Sequence, residues 1–169
     1  MNVTDYIQRQ LALAHRLSDN ALVDITDEQA NWTPSGTLSS IGAILAHSLA
    51  TEDYLFQTVI QASPPIWETG GWGEKIGLPV MPGIGQGWEE ARGKALKVAP
   101  LLAYQQAVRA AADAYLAQLT AEELDRPVAL RGNERPVADR LVLAVVHASQ
   151  HAGEIAAIRG MQGLKGLPF

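Results

Sequence analysis

Apolar positions recur at three- and four-residue intervals along most of the chain, the spacing of helices that bury one face. Residues 4–23 place Ile7, Leu11, Ala14, Ser18, Ala21 and Leu22 on one side of a first long helix, with Thr4 as its N-cap. Asp24 to Gly36 reads as a turn, because Asn31, Pro34, Ser35 and Gly36 break the pattern. A second helix is predicted from Leu38 to Ala62, capped by Thr37 and stopped by Pro64-Pro65; its apolar side is Ile41, Ile44, Leu45, Leu55 and Val59. A third runs from Pro100, a residue suited to a first helical turn, to Leu119. Thr120-Ala121-Glu122-Glu123 has the form of a capping box that opens one short turn. Val128 to Val137, with Gly132-Asn133 in the middle, is a small hairpin or a plain loop. A fourth long helix starts near Pro136 and reaches Arg159, closed by Gly160 or Gly163. Four long helices define the expected fold, an all-α four-helix bundle forming one domain over residues 1–169.

Residues 62–99 differ in kind. They hold eight of the 15 glycines, four of the nine prolines and three of the four tryptophans, Trp67, Trp72 and Trp88. Three tryptophans argue for an ordered connection, with a short helix around Trp88 to Leu96, that walls a pocket or builds an oligomer interface. Gly83, Gly85 and Gly87 resemble a nucleotide-binding loop only superficially, since no strand precedes them and no Gly-Lys-Ser/Thr follows. They read as loop flexibility.

Composition narrows the chemistry. Hydrophobic residues make up 47%, enough for a core, and 13 Lys+Arg against 18 Asp+Glu give a net charge of −5. That balance argues against a nucleic-acid partner, which needs basic residues to neutralise phosphates. Met1 to Asp5 lacks the basic start and apolar run of a signal peptide, and Leu141 to Gly153 reads as too short and too polar to cross a bilayer. The expectation is a cytoplasmic protein without a membrane partner. Cysteine is absent, which removes thiolate metal sites, disulfides and cysteine nucleophiles together. Four histidines and the carboxylates remain.

His147 and His151 stand four residues apart, so both imidazoles leave the same face of the fourth helix. Arg140, Leu143, Ala144, Glu154, Ile155 and Ile158 share that stripe, which therefore points largely inward. The bland account is that each buried ring donates to a carbonyl or carboxylate. Two metal motifs fail on inspection. A zincin needs Glu directly after the first histidine, where this chain has Ala148. A ferritin-like pair needs Glu three residues before each histidine, and those positions are Ala144 and Ala148. A mononuclear site drawing a further ligand from another helix survives. His47, mid-way along the second helix beside Ser40, Thr51, Tyr54 and Thr58, is the obvious third ligand. Three neutral imidazoles suit Zn²⁺, Ni²⁺ or Fe²⁺ and leave positions open for water or substrate, as in catalytic sites. Around them, Glu154 orients His151, acts as a base, or pairs with Arg140 or Arg159. Thr51 is a hydroxyl beside the ligands, and Tyr54 either donates to an oxygen at the ion or fills the core. Trp67, Trp72 and Trp88 are candidates for the pocket wall. Gly153 would let another helix or subunit approach the site, and His15 reads as a structural histidine at the flank of its helix.

At this point the residues resemble a known family. Ile41-Gly42-Ala43-Ile44-Leu45-Ala46-His47, followed by Glu52-Asp53-Tyr54, resembles the second-helix motif of the DinB/YfiT-like superfamily. His147 to Gly160 looks like its C-terminal motif, as does the Gly166-Leu167-Pro168 ending. The resemblance implies a bundle, often dimeric, holding one divalent ion on His47, His147 and His151. It also implies chemistry dependent on a low-molecular-weight thiol, such as S-transfer or isomerisation, with the thiol supplied here by a cosubstrate. The leading expectation is a metal-dependent hydrolase or thiol S-transferase acting on a small-molecule substrate. The alternative of another class is a non-catalytic, stress-associated or interaction protein in which the ion only braces the bundle.

Overall fold

The computed structural model describes residues 2–33, 35, 37–83 and 85–167. Four long helices carry the fold: α1 (Val3–Leu22), α3 (Ile41–Asp53), α7 (Val98–Leu116) and α9 (Val137–Met161). Between them lie α2 (Asp27–Asn31), α4 (Ile66–Thr69), α5 (Trp72–Ile76), α6 (Gln86–Arg92) and α8 (Ala121–Asp125). A two-stranded antiparallel hairpin, β1 (Pro127–Leu130) and β2 (Asn133–Pro136), leads directly into α9. The expected bundle is present: α9 packs on α1 and α3, and α7 closes against α3.

Two helix starts differ from the sequence expectation by a few residues, and one short helix was not expected. Asn2, not Thr4, caps α1, because its side chain accepts from Asp5 N at 2.8 Å while Asp5 reaches back to complete the box. Ser40, not Thr37, caps α3 by accepting from Ala43 N. The capping box Thr26–Gln29 opens α2 inside the stretch read as a plain turn. Pro34 and Gly36 of that turn, Ile84 of the glycine run and Pro168 of the C-terminal motif lie outside the described residues.

Past Asp53 the helix continues to Ile60 as a π-helix over Tyr54–Ile60. The wider turn accommodates an extra residue and shifts the side chains on either side of it relative to one another. Asp53 itself is fully buried. Its carboxylate accepts from Ile66 N and Trp67 N at 2.9 and 2.8 Å, capping α4, and from the Tyr104 hydroxyl at 2.6 Å. One carboxylate thus ties α3, the start of the connection and α7 together.

The connection is ordered, as its tryptophans suggest, but not as a uniform pocket wall. Trp67 and Trp72 both pack on the Tyr104 ring, with centroids 5.4 Å away, and serve the core. Trp88 sits elsewhere, on α6. A Cβ at Gly87 would come within 2.2 Å of the Met81 carbonyl, so this glycine permits α6 to seat on the preceding segment. Gly85 has φ +70° at the start of α6. Both glycines set a defined geometry where flexibility was expected.

α9 is 25 residues long and, by length and apolar composition, could cross a bilayer. In the fold its buried residues, among them Val137, Leu141, Ala144, Ala148, Ala152, Ile155 and Ile158, face α1 and α3. Its role here is that of a core helix.

Candidate metal centre

The buried face of α9 is narrower than the sequence stripe suggested. Leu143 and Glu154 are exposed, and His147 and His151 stand at the edge, half-buried. Across from them, mid-helix on α3, His47 is also half-buried. Ring centroids lie 5.2 Å apart for His47 and His147, 5.1 Å for His47 and His151, and 4.3 Å for His147 and His151. One ring nitrogen from each falls within 4.8 Å of the others, close enough to hold one ion.

Hydrogen bonds decide which nitrogens are free. His47 Nδ1 faces the carbonyls of Pro82 and Gly83 at 3.1 and 2.7 Å. Carbonyls only accept, so Nδ1 carries the proton and Nε2 keeps its lone pair. His151 Nδ1 faces the Glu154 carboxylate at 2.5 Å, which fixes the same tautomer. The bland account is therefore correct for one nitrogen of His47 and of His151 but not for His147, and the opposite nitrogens of the two bonded rings turn inward. His151 Nε2 and His147 Nε2 are 3.1 Å apart. Two ligand atoms in a tetrahedral Zn²⁺ site, each about 2.0–2.1 Å from the ion, are separated by roughly 3.3 Å. Donor chemistry, spacing and hydrogen-bonded partners all fit a divalent transition metal.

Electrostatics agree. Burial, then the charges that His151 and His47 would carry, push His147 down to about 4. Burial also lowers His151, opposed by the Glu154 carboxylate. At neutral pH these imidazoles are uncharged, the form that ligates metals.

Two cavities meet at the cluster. One, about 480 Å³, is lined by His47, His147, Thr51, Tyr54 and Arg131, together with apolar side chains. The other, about 470 Å³, is lined by His47, His151, Trp88 and Glu154 among others. A shallow hollow of about 510 Å³ beside Gln57, Tyr115 and Gln118 lies away from the histidines and has no ligand cluster.

The candidates named from sequence sort accordingly. Thr51 and Tyr54 line the first cavity, with Tyr54 39% exposed rather than filling the core. The Trp88 ring lies 5.0 Å from His47, whereas Trp67 and Trp72 line neither cavity, being drawn to Tyr104. Glu154 bonds His151; Arg140 and Arg159 are instead spent on backbone carbonyls, of Asn133 and Val128 for the first and of Ala21 and Val23 for the second. Among the described residues nothing lies within 4 Å of where a Cβ on Gly153 would stand, so no described helix uses it for close contact. His15 is buried, its Nε2 between both Glu52 oxygens at 3.0 and 3.1 Å. Sequence reasoning missed the Pro82 and Gly83 carbonyls and Arg131. Backbone acceptors carry no residue signature, and Arg131 becomes part of the cavity only through the hairpin's placement.

A helical bundle with three inward-aimed imidazoles on two of its helices defines a class of candidate metal-binding proteins. The family model for the DinB superfamily matches residues 10–155, and the chain belongs to that superfamily. Among solved structures it is similar to the conserved protein of locus from Enterococcus faecalis, with 25% identity and a TM-score of 0.79 over 94% of this chain and 96% of that one. It also shares its fold with a DinB-like protein from Bacillus cereus ATCC 10987, at 15% identity and a TM-score of 0.62, covering 99% of this chain and 97% of that one. No curated protein matches the sequence.

Proposed function

We propose that the chain is a metal-dependent enzyme, with one divalent ion, Zn²⁺ or Ni²⁺ in the first instance and Fe²⁺ as the alternative, held by His47, His147 and His151. The observation that carries this reading is the convergence of three ring nitrogens within 4.8 Å, two of the rings fixed from behind by acceptors. When bound, the ion supplies Lewis acidity to water or to a low-molecular-weight thiol, so the reaction class is hydrolysis or thiol S-transfer. The protein's own residues do the rest. Pro82, Gly83 and Glu154 hold the rings, while Thr51 and Tyr54 offer hydroxyls to a small substrate in the adjoining cavity.

Elemental analysis of the purified protein should find about one transition-metal ion per chain, and His147→Ala should lose it. Undiminished metal in that variant overturns the site. If the ion is present and its removal lowers the melting temperature, but no hydrolase or thiol-transfer substrate is turned over, the non-catalytic, metal-braced reading takes its place.

A homodimer in the cytoplasm is the accompanying proposal. Support comes from an apolar strip on α1 and α9, where Tyr6 is 51%, Val142 60% and Val146 44% exposed.

A further inference from the structure

The hairpin β1–β2 places an arginine where its backbone is least comfortable. Arg131 and Gly132 form the two-residue turn, with φ of 52° and 75°. Turns with both central residues left-handed favour Asn or Gly at the first position, because a Cβ there is costly. Asn133, the residue suited to the conformation, stands two places too late. Strained positions of this kind cluster at active sites and ligand clamps.

The turn is held firmly. The buried Arg140 donates from α9 to the carbonyls of Val128 and Asn133, one on each strand, and Val137 N bonds the Arg126 carbonyl at the base. Thus braced, Leu130 and Arg131 form one wall of the cavity that ends at His47 and His147. Among the described residues, Arg131 has no ion-pair partner, and it is the only Lys, Arg, Asp or Glu on that wall. The rest is mostly apolar (Ala50, Leu55, Met81, Leu143), with hydroxyls at Thr51 and Tyr54. In a chain of net charge −5, a lone guanidinium at this place is a local reversal of sign.

We propose that Arg131 is a substrate-binding residue and that this cavity takes a small organic carboxylate with an apolar body. The carboxylate pairs with the guanidinium at the hairpin, and the body lies along the apolar wall toward the histidines. This names the substrate class for the function proposed above and rests on that reading, but the anion subsite itself needs no ion.

The test titrates 4-phenylbutyrate and its neutral isostere 4-phenylbutyramide into the full chain, metal-free and zinc-loaded, followed by protein NMR. The metal-free protein should bind the carboxylate about tenfold more tightly than the amide, with shifts at the Gly132 amide, since a charge-assisted bond distinguishes the two. Arg131→Gln should erase the preference and Arg131→Lys retain most of it. Arg131→Asn should lose the preference while raising the melting temperature, because Asn tolerates the turn. Equal binding of the two probes, no binding of either, or a preference that survives Arg131→Gln overturns the proposal. Carboxylate preference in a protein that takes up no zinc would instead sink the metal reading and leave the Arg131 subsite standing.

Discussion

Burial and two neighbouring imidazoles bring His147 down to about 4, against about 6.5 for a free histidine. That difference links folding to pH. Between about 4 and 6.5 the unfolded chain holds a proton at this ring and the folded chain does not, so acid favours unfolding. Stability of the metal-free protein should therefore climb as pH rises through this window and level off above it. Urea midpoints measured across that range check the slope, and His147→Gln should flatten it. A wild-type midpoint unchanged from pH 7 to pH 4.5 would contradict the burial assigned to the ring. The same depression readies the residue to ligate at neutral pH without first shedding a proton.

Between elements, Asp53 does the most joining. Desolvation raises its carboxyl above the usual range, while bonds from Tyr104, Trp67 and Ile66 pull the other way. Asp53→Ala would orphan the Tyr104 hydroxyl and two backbone N–H groups and should cost about 3 kcal/mol or more, read as a lower urea midpoint. Near-wild-type stability in that variant would show that α4 is held by its tryptophan alone. The four long helices were legible because each repeats its apolar residues at helical spacing, and His147 and His151 declared a shared face by separation alone. The role of Asp53 was not legible. Its partners lie 13, 14 and 51 residues away, and no periodicity encodes such contacts. The π-helical turn was hidden for a related reason, since a search for 3.6-residue spacing has no place for an extra residue. Trp67, Trp72 and Trp88 look alike in sequence, and only the buried Tyr104 and the seat that Gly87 allows α6 separate two core residues from one beside the site.

For the whole molecule, the apolar strip on α1 and α9 gives the dimer proposal a direct check. Light scattering on the wild-type chain should report twice the 18.1 kDa chain mass, and Val146→Asp should return it to that mass with its helicity intact. A wild-type monomer at micromolar concentration would remove the proposal. The strip and the histidine cluster share α9, so a partner bound on one edge of that helix would stiffen the element that presents two of the three candidate ligands.

The split of the histidines between α3 and α9 also orders events in time. His47 and His147 are separated by one hundred positions. During synthesis a nascent chain carries a single one of these imidazoles until the last long helix has been made. The three-imidazole site does not exist before α9 docks against α3. The full cluster is consequently a property of the finished fold, and an ion would meet all three imidazoles only once α9 is in place.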